Sequence, residues 1–266
     1  MTQPDIKEIC IIAKQAGLIL REGFEQQHDI KIKTRQDDLV TEMDKKSEDF
    51  IMDRINTLWP GHTIITEETG THSGDLEHAW YIDPCDGTMN YAHGLPLFAV
   101  SIGYAYKGEL VKGVVYDPMR DECFYAEKGK GAWLNGRPIH TSERTSLKDS
   151  LLVTGFSIST MDKKGIDNFS AFEHLMRTTA GVRRTGVAAL EIAYVACGRL
   201  DGMWSIKLCA WDVAAGFVIA REAGVKITAL DGESDAFRAP WYDFIIANPE
   251  LHTALKEELK PFKLIL

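Results

Sequence analysis

The chain has 266 residues, 45% of them hydrophobic and 26% charged. That is enough to bury a large core without disulfides or structural metal. A formal charge of −9 argues against nucleic acid as a partner held by bulk electrostatics. No run approaches the ~20 apolar residues of a membrane span, the opening "MTQPDIKEIC" lacks the basic and apolar regions expected of a secretory signal, and the five cysteines are scattered without a CxxC pair. These features predict a reduced, cytoplasmic protein with no membrane contact.

In chain order, Ile6, Ile9, Cys10, Ala13, Ala16, Gly17, Leu20 and Phe24 recur at helical spacing and predict an amphipathic N-terminal helix. The polar stretch "HDIKIKTRQDDLV" then reads as a loop or short hairpin. A second helix is expected from Thr41 to Leu58, burying Met43, Phe50, Ile51, Ile55 and Leu58, and ended by "WPGH". Short strands "TIIT" and "AWYI" lead into Glu67-Glu68 and into Asp83. From Phe98 to Ile139, alternation and turn signals describe an antiparallel meander. The second half alternates strands and helices: "LLVTGF", Asn168–Thr179, "VRRT", "GVAALEIAYVACG", "DGMWSI", "WDVAAGFVIAREAG" closed by Gly224, "VKITAL", "FIIAN" and "PELHTALKEEL". Antiparallel strands followed by alternating helices and strands predict layered sheets covered by helices, an α+β or α/β sandwich. The chain reads as one unit, residues 1–266, with halves at 1–145 and 146–266.

Three acidic groups stand at strand ends or helix starts: Glu67-Glu68, the pair Asp83 and Asp86 in "IDPCDGTMNY", and Asp212. Such positions lie above a rigid sheet, where sites are usually built. Pro84 keeps Asp83 extended, and a turn after it would let Asp83 and Asp86 converge. Gly87 permits close backbone approach, and the Gly87 and Thr88 amides at the start of a helix offer a phosphate seat. Oxygen ligands with few histidines suit Mg²⁺ or Mn²⁺ rather than zinc, and several carboxylates together suggest more than one ion. Two such ions can promote the in-line displacement of a phosphate ester. An EF-hand fails, because Cys85 and Gly87 occupy its ligand positions, and no P-loop occurs. An aspartyl-phosphate mechanism, as in the haloacid dehalogenase family, would need an aspartate where Pro84 stands. The bland alternatives are a strand-ending turn for "DPCDGT", an N-cap for Asp212 and a solvated pair for Glu67-Glu68.

The segments "TEET", "DPCDGTMNY" and "WDVAAG", in this order and spacing, resemble the inositol monophosphatase family. So do "KTRQDDLVTEMD" and "GVAALEIAYVACGRLDG", and the likeness covers nearly the whole chain. The resemblance implies an α-β-α-β-α sandwich, a homodimer, and a lithium-sensitive, Mg²⁺-dependent phosphatase using metal-activated water. It implies two to three Mg²⁺ ions, with Mn²⁺ as a substitute. Glu67 would hold the first ion and orient the attacking water, and a third, weaker ion would sit near it. Asp83 would bridge two ions, the Cys85 backbone carbonyl would add a ligand, and Asp86 and Asp212 would hold the second ion. Thr88, paired with Asp44, would polarise the nucleophilic water, while Gly87 and Thr88 take the phosphate. Asp86, Ala188, Ser205 and Asp212 would line the substrate, and Lys33 in the mobile loop would approach the phosphate. Glu68 would support the ligands from behind, and Cys85 and Cys209 would only pack their side chains. Ser205 stands where animal members carry a glutamate that binds inositol hydroxyls, so a carboxylate's charge-assisted bonds are missing there. Lys207 nearby would favour a second anionic group. The substrates expected are inositol monophosphate, then NADP through its 2′-phosphate, fructose-1,6-bisphosphate and 3′-phosphoadenosine 5′-phosphate. A reading of another class is a catalytically silent, metal-dependent regulatory protein.

Overall fold

The computed structural model describes residues 3–24, 31–32, 39–156, 166, 168–232, 237, 242–262 and 264. Helix α1 spans Ile6–Phe24 and α2 spans Glu42–Leu58. Between them, β1 (Lys31–Ile32) and β2 (Leu39–Val40) pair antiparallel, as a short hairpin requires. Lys33 lies outside the described residues. Helix α2 starts where Thr41 accepts from the Met43 and Asp44 amides while Asp44 reaches back to the Thr41 amide, a reciprocal cap. Ile51 and Ile55 are buried as expected. Leu58 is 37% exposed, because the chain turns away at Trp59 before the last turn can pack.

An eight-stranded sheet follows, in the order β10-β9-β8-β7-β6-β5-β3-β4. Its strands are β3 (His62–Thr66), β4 (Gly70–His72), β5 (Asp75–Asp86), β6 (Ala99–Tyr106), β7 (Glu109–Asp117), β8 (Glu122–Glu127), β9 (Ala132–Leu134) and β10 (Arg137–Ile139). The β6–β10 run is the expected meander, and β3 pairs parallel to β5. One expectation needs correction. Asp83 and Asp86 are not in a turn after the strand: β5 continues through both, pairing Asp83 with Ser101 and Asp86 with Ala99 across an irregular register. Pro84, which has no N–H to donate, sits in that irregularity, where a ladder tolerates proline. A short helix α3 (Thr88–Ala92) comes next.

The second sheet has the order β12-β11-β13-β15-β14, built from β11 (Leu151–Gly155), β12 (Gly181–Arg183), β13 (Gly202–Leu208), β14 (Lys226–Ala229) and β15 (Tyr242–Ala247). It is mixed: β11 pairs parallel with β12 and β13, and β15 antiparallel with β13 and β14. Its helices are α4 (Asn168–Thr178), α5 (Ala188–Ala196), α6 (Ala210–Glu222) and α7 (Pro249–Leu259).

Three apolar clusters define the layers. Ile9, Ile12, Leu20, Ile51 and Ile55 of α1 and α2 pack on Trp80, Ile82 and Tyr104 of the first sheet. Ile192, Val195, Ala214 and Phe217 of α5 and α6 meet Val115 and Phe124 on one side and Val153, Met203 and Phe244 on the other. Ala171, Leu175, Leu255 and Leu259 of α4 and α7 cover Leu152 and Trp204 on the far face. The layers therefore run α-β-α-β-α, an α+β sandwich. The middle helices are apolar all round because both their faces are buried: every residue from Val213 to Ala220 is buried. No helix among the described residues is long and apolar enough to cross a membrane.

Candidate active site

Four carboxylates arrive from two elements, β5 and α6, and the turn after a third, β3. Glu67 follows the end of β3, and its amide donates to the Ile82 carbonyl of β5 at 3.2 Å. Asp83 is 2% exposed and accepts the Cys85 amide at 3.0 Å. Asp86 takes the amides of Ala188 at 3.2 Å and Ala189 at 2.6 Å, the first free N–H groups of α5. Asp212 stands at the third position of α6 rather than at its cap, and reaches back to the Cys209 amide at 2.7 Å.

Burial holds the Asp83 carboxyl well above the usual carboxylate range, and the charges of Glu67, Asp86 and Asp212 push it further. Asp86 is raised by burial and then by Asp212, against the opposing bond from Ala189. The charges acting most strongly on these groups are other carboxylates. Among the described residues no group of three or more histidine, cysteine, aspartate or glutamate side chains stands in an arrangement that could hold a metal ion as it is. The arrangement concentrates negative charge around buried Asp83 and Asp86, and taking charge out of water is expensive. Carboxylate and carbonyl oxygens without a nearby imidazole or thiolate donor suit hard divalent cations such as Mg²⁺ or Mn²⁺. The Cys85 thiol is buried and pushed well above its ordinary value, chiefly by that burial, and Cys209 is pushed up to about 12 for the same reason. Both therefore stay protonated, which suits packing.

Thr88 donates to Asp44 at 2.9 Å and also lies 3.0 Å from the Cys85 carbonyl. Asp44 is 1% exposed and its carboxyl is raised by burial, although hydrogen bonds from Thr41 and Thr88 oppose this. Gly87 has φ +96°, and a Cβ there would lie 2.9 Å from Val187 Cγ2 and 3.1 Å from the Leu97 carbonyl. Only glycine meets both demands. Its seat beside Val187 brings the start of α3 against the start of α5.

Ser205, expected to face substrate, is fully buried, and its hydroxyl donates to the Gly155 carbonyl at 2.8 Å across the β11–β13 pair. Lys207 sits in an irregular stretch of β13 with φ +62°, and its amide donates to Asp243 at 2.5 Å. Glu67 and Glu68 are half-buried, so neither is simply solvated.

Four residues escaped the sequence reading. Ser47 donates to the Pro84 carbonyl, and Glu48 accepts from Thr66 and Glu68. Asn90 bridges the Leu97 and Thr185 carbonyls, both at 2.9 Å, tying α3 to the turn before α5. Glu191 accepts the Thr185 amide and hydroxyl and the Gly186 amide through one oxygen; the other, Oε2, has no hydrogen-bond partner among the described residues. The helical spacing of 44, 47 and 48 with Ile51 and Ile55 was a readable signal that these polar groups face inward.

Burial raises Glu191 to about 7 from an ordinary 4.5, despite its three donors. A folded-state value above the unfolded one contributes stability that is complete below pH 4.5 and lost as pH rises through about 7. Relative to Glu191→Gln, the wild type should therefore lose about 3 kcal/mol between those limits and little beyond them. Denaturant unfolding of both proteins at pH 4.5, 6 and 8 measures this, and a pH-independent difference would refute it.

The chain is thus a layered α+β protein, an α-β-α-β-α sandwich with a group of carboxylates set between its first sheet and middle helices. The chain matches the inositol monophosphatase family over residues 2–262, and it belongs to that family. It is 41% identical over 238 residues to "Nus factor SuhB" of Pseudomonas aeruginosa, covering 88% of each chain. It is 39% identical over 226 residues to "Inositol-1-monophosphatase" of Mesorhizobium japonicum, covering 84% of each. The solved inositol monophosphatase from Anabaena (Nostoc) sp. matches with a TM-score of 0.87 at 38% identity, over 98% of this chain and 96% of that one.

Proposed function

We propose that the chain is a Mg²⁺-dependent phosphomonoesterase that hydrolyses inositol monophosphate to inositol and phosphate by direct attack of water. The observation that carries this reading is the meeting of half-buried Glu67 and Asp212 with buried Asp83 and Asp86, whose carboxyls are raised by burial and by the charges of these neighbours. Glu67, Asp83, Asp86, Asp212 and the Cys85 carbonyl would hold two to three Mg²⁺ ions, with Mn²⁺ able to substitute. Bound divalent cations supply Lewis-acid polarisation of the phosphoryl oxygens and lower the pKa of water. Pro84 stands where an aspartyl-phosphate mechanism would need its nucleophilic aspartate, and burial keeps the Cys85 thiol protonated, so water is the attacker. The Thr88 hydroxyl directs its one proton to Asp44 or the Cys85 carbonyl, which leaves a lone pair to accept a proton from water. Asp44, raised by burial, is disposed to take the proton that Thr88 passes on. The Gly87 and Thr88 amides seat the phosphate, and Ala188 lines the substrate from the start of α5.

Thr88→Val removes the relay and should lower kcat by about 10²–10³-fold with KM nearly unchanged, whereas Thr88→Ser should stay within a few-fold. Steady-state kinetics on the two variants decides it.

Family members act on small phosphate monoesters. The substrate test compares kcat/KM for inositol-1-phosphate, NADP, fructose-1,6-bisphosphate and 3′-phosphoadenosine 5′-phosphate, each with Mg²⁺ and with EDTA. Inositol-1-phosphate is expected to lead, and a clear lead for NADP or either of the others would reassign the substrate while keeping the chemistry. Relatives also carry the name Nus factor SuhB, so the regulatory alternative is tested in the same experiment. No Mg²⁺-dependent phosphate release from any of the four would leave that alternative standing.

A further inference from the structure

Helix α2 buries three polar side chains on one stripe: Asp44, Ser47 and Glu48, each no more than 1% exposed. Each grips a different segment of the candidate site. Asp44 holds Thr88, Ser47 holds the carbonyl of Pro84 between the two aspartates, and Glu48 holds the turn that carries Glu67. The Glu48 grip is unusual. A single oxygen, Oε2, accepts both the Thr66 hydroxyl and the Glu68 amide, the latter at 3.0 Å. Those donors lie on either side of Glu67, whose own amide is tied to Ile82, the residue before Asp83. The backbone of Glu67 is thus fixed from two directions, by α2 and by β5. The other Glu48 oxygen, Oε1, is buried without a hydrogen-bond partner among the described residues. A turn needing only its donors satisfied would not require a buried carboxylate with an idle oxygen, since such a group is costly to desolvate.

We propose that Glu48 is a positioning residue that sets the divalent-cation affinity of the site by fixing the turn around Glu67. This rests on the reading of Glu67 as a cation ligand. The agent is the pair of accepted hydrogen bonds: with the turn released, Glu67 samples other directions and the ligand set must be assembled at each binding event. Outer residues that orient metal ligands typically contribute about 10–100-fold in affinity.

The test uses the full chain and Mg²⁺ or Mn²⁺ alone, titrated by calorimetry and by the cation-dependent rise in Tm. Glu48→Gln keeps an oxygen for both donors and should bind within about threefold of wild type, while Glu48→Ala should bind about 10–100-fold more weakly. Phosphate release at saturating Mg²⁺ should stay within about threefold in both variants, because only the cation requirement moves. Thr66→Val, which deletes one donor without touching the carboxylate, should weaken binding in the same direction and less than additively with Glu48→Ala. It also serves if Glu48→Ala does not fold. Unchanged cation affinity in Glu48→Ala or Thr66→Val, with only the cation-free Tm lowered, would reduce Glu48 to a structural role and overturn the proposal. A wild-type protein that shows neither heat nor Tm shift with either cation would overturn the ligand reading itself, and is distinguishable on that ground.

Discussion

Asp83→Asn should lower phosphate release by about three orders of magnitude and, in the same protein, raise the stability of the cation-free state. The two effects have one cause. Asp83 is buried, and three other carboxylates push its pKa upward. Its contact with the Cys85 amide uses Oδ1, which an asparagine oxygen can reproduce, so the fold keeps that bond. What asparagine removes is one negative charge from a group of carboxylates whose charges push Asp83 upward. Without divalent cations, the variant should be more stable than wild type at neutral pH by on the order of 1–3 kcal/mol. With Mg²⁺ the order should reverse, because wild type gains by binding and the variant gains far less. The pH dependence follows from the sign of the shifts. Asp83 and Asp86 have folded values above the ordinary 3.8. Their contribution to stability is therefore complete below that value and lost as pH rises through the raised ones. The cation-free protein should weaken as pH climbs out of the acid range, and Mg²⁺ should remove most of that weakening. Tm measured from pH 4 to 8 with EDTA or with Mg²⁺, for both proteins, tests every part. A variant that hydrolyses substrate like wild type, or is less stable than wild type in EDTA, would defeat the charge-cluster account.

Much of the architecture was legible because periodicity survives burial on one face. The stripe from Ile9 to Leu20 predicted α1, and the turn signals between Phe98 and Ile139 predicted the meander. Errors came where a local signal was outvoted by pairing partners distant in sequence. Pro84 argued for a turn after Asp83, yet β5 carries on to Asp86 because β6 continues beside it as far as Ala99. Ser205 looked like a substrate-facing hydroxyl, yet β11 supplies the Gly155 carbonyl that binds it. The carboxylates themselves were readable from residue type and position. Their bracing was not. Asp86 is held by amides 102 and 103 residues further on, and Glu48 by a turn 18 to 20 residues away. No spacing rule connects such pairs, since the fold alone brings them together.

Gly113→Ala should be severely damaging although it lies outside the site, costing about 3 kcal/mol and lowering Tm by roughly 6–12 °C. Gly113 of β7 pairs with Gly103 of β6, and the two glycines form a flat strip beneath α6. A Cβ at Gly113 would lie 2.3 Å from the Ala215 carbonyl oxygen and 2.9 Å from its Cα, and one at Gly103 would lie 2.6 Å from the Ala214 Cβ. These neighbours are helix backbone and a methyl, with no flexible side chain to swing away. Close-packed interiors have little slack, so the helix must lift as a unit. Helix α6 is buried from Val213 to Ala220 and carries Asp212 in its first turn. Lifting it disturbs the central layer and draws one carboxylate out of the cluster together. Gly113→Ala should therefore weaken Mg²⁺ binding as well as stability, a coupling that an ordinary core substitution far from α6 would lack. Gly202→Ala is the comparison: its nearest contacts would be 3.2–3.3 Å, which small shifts can accommodate, so its cost should be about 1 kcal/mol or less with cation affinity intact. Equal Tm losses in the two variants, or unchanged Mg²⁺ affinity in Gly113→Ala, would show that α6 does not transmit its seat on the sheet to Asp212.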